Sequence, residues 1–407
     1  MNSRILTGLF ILALTAIGCV TEFKANLPSG DQQILIVEGS IMADTTVTFQ
    51  LSTSYPIDSA YAPQGIFDVD AKITLISDNG YESAPATYLG KGKYSMDVGT
   101  LDDNVGYGIK IAYKEDTYQS ALSKPLHTPE IDSVSWVEQG ENAPVGICVS
   151  THDNDTGEPK FFLWDYAEDW EFNATYDTSI FFNPKDSTFF IDSFFLTYHV
   201  GPYYHCWRHT VSHTYLLGST ETLNENRIIN KQLYQIFPGT DDRFTILYAV
   251  TINQRAISKS AYDYYQNKIK LNEEMGGLFT PQPSDVDGNI SCITNPSRRA
   301  IGYIEVSKNT AHKRLFLNSS QIKSSAIGYN CTLDSFDDLK MNMQIPQTMS
   351  DKSAYAFLYM LGYRPALDPD PAPGPLKPSQ WSTSICTDCT QNGGLKNKPD
   401  FWPNGDN

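Results

Sequence analysis

Apolar and polar residues change their pattern three times along this chain. The first stretch is apolar from Ile5 to Ile17 behind the cation Arg4, and a small residue, Gly18, precedes Cys19. About 13 apolar residues are too few for a bilayer-spanning helix, which needs ~20. The order cation, apolar core, small residue is that of a signal peptide over residues 1–18. Residues 19–32 are polar, lack an apolar period and read as a tether. The third pattern begins at Ile34. Ile34–Gly39 is a buried-strand run, while Thr46–Leu51 and Ala71–Ile76 alternate with period two. Asp78-Asn79-Gly80 is a hairpin turn signal, and Tyr107–Tyr113 and Thr117–Leu122 flank a second turn at Lys114-Glu115-Asp116. Short alternating strands with frequent turns predict an immunoglobulin-like β-sandwich over residues 33–126. Pro125 and Pro129 mark its boundary.

The same short strands continue over residues 131–407, predicting a larger β-rich domain. Candidates are Ile131–Val137, Val145–Ser150, Phe161–Trp164, Trp170–Phe172, Ser179–Phe182, Phe189–Tyr198, His205–Leu217, Phe244–Asn253, Ile301–Val306 and Arg314–Leu317. One segment near 258–275 departs from period two. Ala261, Tyr265, Ile269 and Asn272 fall along one helical face, Ser258 or Ser260 can cap its start, and Gly276-Gly277 ends it. A proline run over 365–378 makes a stiff extended connection. The fold class expected is therefore mainly β with one inserted helix. Aromatic content of 12%, with 24 Tyr and 20 Phe, supports strands.

Chemistry enters through cysteine. Ala16-Ile17-Gly18-Cys19 reads as a bacterial lipobox, so Cys19 is expected to be the lipidation site and its acyl chains the membrane anchor. Several acyl chains hold far better than one, at ~0.8 kcal/mol per buried CH₂. Val20, where an aspartate would signal inner-membrane retention, favours the outer membrane. The other six cysteines, Cys148, Cys206, Cys292, Cys331, Cys386 and Cys389, are candidates for disulfides in an oxidising compartment, and their pairing is open among 15 arrangements. Cys386-Thr387-Asp388-Cys389 is expected to close a small structural loop rather than a metal or redox site. The formal net charge of −17 disfavours nucleic acid and anionic membrane faces as partners.

Four of seven histidines, His199, His205, His209 and His213, lie near Cys206. On a strand, four residues span roughly 13 Å at ~3.3 Å each. One metal ion with bonds near ~2.1 Å cannot join such ligands, so surface or satisfied histidines are expected, with no metal. Asp153-Asn154-Asp155-Thr156-Gly157 starts like a calcium loop, but Trp164 stands where the closing acid belongs, which favours a polar turn. Trp164, Tyr166, Trp170 and Phe172 share a parity and are expected to be core. Asp241-Asp242 and Glu273-Glu274 read as solvated acids. There is no GxSxG elbow, HExxH pair, phosphate-binding glycine loop or Rossmann fingerprint, so neither catalytic residues nor a cofactor is expected.

Longer strings carry a resemblance. They are Leu35–Gly39, Ser150–Asp153, Trp164–Phe172, Cys206-Trp207, Asn224–Ile228, Leu278–Ser284, Gly288–Cys292 and Ile301–Tyr303, then Cys386–Cys389, Gly393-Gly394 and Lys398–Trp402. In this order they resemble the domain-of-unknown-function family 4249, lipoproteins of Bacteroidota, over essentially the whole mature chain. The resemblance implies an outer-membrane lipoprotein, often encoded beside TonB-dependent transporters, and supplies no catalytic residues to transfer. Two positions depart from it: Thr390 stands where the family tail usually has arginine, and Cys148 is not a usual family cysteine, so Cys148 either completes a pair or stays free. The expected function is a non-enzymatic accessory or ligand-binding lipoprotein. A surface hydrolase of glycans or peptides, or a structural envelope-assembly component, is the alternative.

Overall fold

Period-two burial is what the first strands show. In the computed structural model, Val47, Phe49, Leu51 and Thr53 turn inward from Thr45–Thr53 while the residues between them face out. The structure describes residues 34–54, 66–67, 69–140, 143–155, 157–183, 185–186, 188–191, 200–239, 242–274, 288–323, 331–366 and 378–403. The expectations for Cys19, the tether, Leu278–Ser284, His199 and most of the proline run lie outside them.

Strands β1 (Leu35–Glu38), β2 (Ile41–Met42), β3 (Thr45–Thr53), β4 (Ala71–Ser77), β5 (Thr87–Gly90), β6 (Lys93–Val98), β7 (Tyr107–Tyr113) and β8 (Asp116–Ser120) build two sheets. One runs β1-β3-β6-β5 and the other β8-β7-β4. They enclose one core in which Phe49, Ile73 and Ile109 are fully buried. This is the sandwich that the alternation predicts.

A second pair of sheets follows. β9 (Ile131–Glu138), β10 (Val145–His152), β11 (Phe161–Asn173), β12 (Ile180–Asn183), β13 (Thr188–Ile191), β14 (His205–Val211), β15 (Leu216–Ser219), β16 (Arg227–Ile236) and β17 (Leu247–Ile257) lead into helix α1 (Lys259–Glu274). The sheet β16-β10-β9 faces a sheet centred on β11, which β14 and β15 flank on one side and β17 on the other. Between them lie Ile147, Val149, Trp164, Phe172 and Val250. The Gln254 side chain ties the layers: its oxygen accepts from Trp164 Nε1 at 2.8 Å, and its nitrogen donates to Thr151 Oγ1 at 3.0 Å. Helix α1 covers part of the outer face, with Ala261 fully buried against Phe161, Leu163 and Ile257. The Ser258 hydroxyl accepts from the Ala261 N–H at 3.2 Å, as an N-cap should.

The chain then returns to the first sandwich. β18 (Ile290–Cys292) pairs with β8, β19 (Ala300–Ile301) runs parallel to β1, and β20 (Val306–Ser307) pairs with β2. Residues 290–307, read from sequence as part of the second domain, thus complete the first. The strand expected over Ile301–Val306 is instead two short ones. Next, β21 (Ala311–Asn318) pairs with β17 along its length.

The C-terminal part holds β22 (Asp334–Ser335), α2 (Phe336–Asn342), α3 (Asp351–Met360), β23 (Tyr363–Pro365), β24 (Gln380–Thr383) and α4 (Ser384–Thr387). Its small core gathers Leu339, Leu358 and Trp381, with Phe189 of the β12–β13 hairpin against it. One helix was expected here and elsewhere, and four are found among the described residues. Ser335 and Ser350 cap α2 and α3; both helices are too short for an apolar period to stand out.

Two disulfides bind this part. Cys206 joins Cys389 and Cys331 joins Cys386. The small loop expected within Cys386–Cys389 does not form. Helix α4 ends at Thr387 and Asp388 is extended, with φ −136° and ψ 102°, so the chain swings between the two sulfurs and each meets a distant partner. The candidates Cys148 and Cys292 are corrected too: both are free, buried thiols. They sit in different sandwiches, Cys148 on β10 and Cys292 in the first core, where each packs as a small hydrophobe.

Packing in the second core is close at Gly218 on β15. A Cβ there would lie 2.3 Å from the Trp164 ring, whose indole N–H is fixed by Gln254. Gly218→Ala is expected to cost about 1–3 kcal/mol by overpacking, read from urea denaturation. An unchanged midpoint would show that the ring has room to move.

Candidate functional site

β11 sorts its side chains strictly by parity. Trp164, Glu168, Trp170 and Phe172 point into the second core and are buried, and Tyr166 is half-buried there, stacked on Tyr234 at 4.0 Å between ring centres. The aromatic row is core, as its parity predicts. Glu168 goes in with it. Tyr248 donates to its carboxylate at 2.6 Å and Tyr234 at 3.3 Å, while Arg243 lies 3.8 Å away. Burial pushes both tyrosine hydroxyls far above their ordinary pKa. Asp242, expected to be a solvated acid, is instead buried, accepting from Trp170 Nε1 at 2.8 Å and from Arg208 at 3.1 Å. The Glu273 and Glu274 side chains lie outside the described residues.

The opposite parity, Asp165, Ala167, Asp169 and Glu171, forms the outer face. The cross-strand register sets His209 beside Asp169 and Trp207 beside Glu171. His209 Nδ1 lies 2.7 Å from Asp169, and His205 Nε2 lies 2.6 Å from Glu171. Burial would raise the Glu171 carboxyl, but the His205 imidazole and the Trp402 N–H at 2.9 Å outweigh it and hold it below the ordinary value. Each of these two histidines has its own acid, and His213 is exposed on the turn after β14. Among the described residues, no group of three His, Cys, Asp or Glu stands close enough to hold a metal ion. Asp153 and Asp155 form a turn: the Asp155 and Gly157 N–H groups donate to their side chains, and Lys160 Nζ sits 2.8 Å from Asp155.

Both ends of the outer face are covered. At one end, Trp402 packs on Phe316 and reaches Glu171. At the other lies α1, whose Tyr265 packs on Tyr215 with ring centres 4.8 Å apart and planes tilted by 38°. Between them opens a cleft of about 350 Å³, at the small end of the ~300–1,000 Å³ typical of ligand sites. Its floor is a fixed polar row. Asn253 Nδ2 donates to Asp165 at 2.7 Å, and Arg255 lies 3.6 Å from the same carboxylate. Its wall is the turn Ser212–Tyr215, clamped to β11 because Tyr166 N–H donates to Ser212 Oγ at 3.0 Å and Ser212 N–H donates to Tyr166 O at 2.8 Å.

Sequence reasoning passed over this cleft. Its signal was present in Trp164–Phe172, where the polar residues between the aromatics must share the face opposite the core. The convergence of Asn253 and the Ser212–Tyr215 turn on that face has no local signature.

No curated protein matches the chain significantly. A family model described as Domain of unknown function (DUF4249) matches residues 20–313. The match takes in both sandwiches through the first strand-pairing residues of β21, and the resembling strings from Cys386 to Trp402 lie beyond it. With most of its length covered by that match, the chain belongs to the DUF4249 family.

Proposed function

We propose that this chain is a lipid-anchored accessory or ligand-binding protein of the outer membrane, held by acyl chains on Cys19 and serving a TonB-dependent transporter. The observation that carries the binding role is the open polar cleft over Asp165 and Asn253, built on the central strand of a sheet and framed by covers at both ends. A rigid floor suits binding, because the groups that meet the ligand lose little freedom on contact. The anchor rests on the leader and the lipobox. We infer a role in binding rather than turnover; Asp165 is the one carboxylate lining the cleft among the described residues.

The anchor and the partner are tested together. Cells fed labelled palmitate are expected to label the wild-type protein and not Cys19→Ser, which should leave the membrane fraction. Cross-linking before solubilisation is expected to recover a transporter barrel with the wild type. Label on the serine variant, or recovery of envelope-assembly components alone, would overturn the reading. So would turnover of glycosides, peptides or esters by the purified protein.

A further inference from the structure

We propose that the cleft over Asp165, Asn253 and Arg255 binds a neutral saccharide. This rests on the binding role argued above and names its ligand class.

Charge narrows the choice first. The Asp165 carboxylate and the Arg255 guanidinium stand 3.6 Å apart. An anion in the cleft meets the first and a cation the second, so neither sign gains. The whole chain carries a formal −17, which further repels anions. A neutral polar ligand is opposed by neither group.

The type of polar group follows. The floor offers an acceptor-only carboxylate, a donor-only guanidinium and an amide that does both, side by side. The Ser212 and Thr214 hydroxyls on the wall also do both. A hydroxyl donates and accepts at one atom, so neighbouring hydroxyls on a sugar ring can donate to Asp165 and accept from Arg255 at once. Tyr215, braced by Tyr265 at 4.8 Å, adds the apolar wall that the C–H face of a sugar needs. About 350 Å³ accommodates a short saccharide rather than a long chain.

Peptide binding by strand addition is opposed by position. β11 is central, with β14 and β15 on one side and β17 on the other, and Ser212 takes the Tyr166 N–H and C=O where those two neighbours part. The cleft presents a sheet face, without the free backbone edge that an extended peptide requires.

The test is saturation-transfer NMR on the purified soluble part, residues 20–407, with neutral mono- and disaccharides, followed by titration calorimetry of any that respond. At least one neutral saccharide is expected to bind. Asp165→Asn, which keeps shape and removes charge, is expected to weaken it tenfold or more. His213→Ala, on the exposed turn, should weaken it severalfold with an unchanged circular dichroism spectrum. If no saccharide responds, or if both variants bind like wild type, the proposal fails. If charged peptides bind instead and Asp165→Asn abolishes it, the saccharide class fails while the binding role stands. A transporter recovered by cross-linking with a cleft that takes no ligand would leave only the accessory role.

Discussion

Replacing Cys206 and Cys389 by serine is expected to release the C-terminal part from the second sandwich and to lower the unfolding temperature by roughly 10 °C. The bond closes a separation of 183 residues and Cys331–Cys386 closes 55. On the loop-entropy model these correspond to about 5 and about 4 kcal/mol, as upper values. What remains without the first bond is noncovalent. Among the described residues the C-terminal core has six that are buried, too few to hold a unit together unaided. Its other ties to the sheet among the described residues include the Trp207–Leu395 backbone pair, Arg208 donating to Asn392 O, Lys396 donating to His205 O, Trp402 on Glu171 and Phe316, and Phe401 under Arg314. Calorimetry should show a separate early transition in the variant, and limited proteolysis should cut first in residues 378–403. The Cys331–Cys386 bond lies within the released part and should not prevent this. A variant that melts in one transition within about a degree of wild type would show that the noncovalent ties suffice.

What could be read in the sequence was whatever a local period encodes. β3 keeps apolar residues two apart, and its burial follows them. Helix α1 spans Lys259–Glu274 against 258–275 expected, and the serine read as a cap does cap its start. Ala261 and Tyr265 turn inward as their spacing predicts, and Tyr264 joins them. The failures are of reach. β18, β19 and β20 are two or three residues long, and their partners lie some 170 to 270 positions earlier. Nothing in Ala300-Ile301 says that it will lie beside Leu35. Cysteine pairing failed for the same reason: the short spacing of Cys386 and Cys389 suggested a loop, whereas α4 and the extended Asp388 send each sulfur elsewhere. Asp242 misled because a doublet of acids resembles a solvated turn, and the indole and guanidinium that enclose it come from β11 and β14. The cleft was half legible. Parity on β11 puts Asp165 opposite the aromatic row, a consequence left undrawn, and its partner Asn253 stands 88 residues later.

Glu305→Gln is expected to stabilise the protein by about 3 kcal/mol above pH 7 and to leave it unchanged near pH 4.5. Glu305 sits between the buried Ile304 and Val306 and reaches from the first sandwich to the start of α1. Its carboxylate accepts from the Ser258 N–H at 3.3 Å and the Ser258 hydroxyl at 3.1 Å. Burial raises its pKa from 4.5 to about 7, although those two bonds and the charge of Arg255 pull the other way. The sign follows from linkage. Between pH 4.5 and 7 the unfolded chain has released this proton while the folded one still holds it, so stability falls as pH rises through that window. Glutamine has the same shape and no charge to desolvate, and its carbonyl can accept from the Ser258 N–H. Denaturation midpoints of wild type and variant should therefore diverge from pH 5 through 6 to 7 and change little more at pH 8. Parallel curves would mean that Glu305 titrates as an ordinary carboxylate. The position gives the effect a direction towards the cleft. Ser258 caps the helix whose Tyr265 braces Tyr215, so Glu305 stands at the joint from which one wall of the site is held.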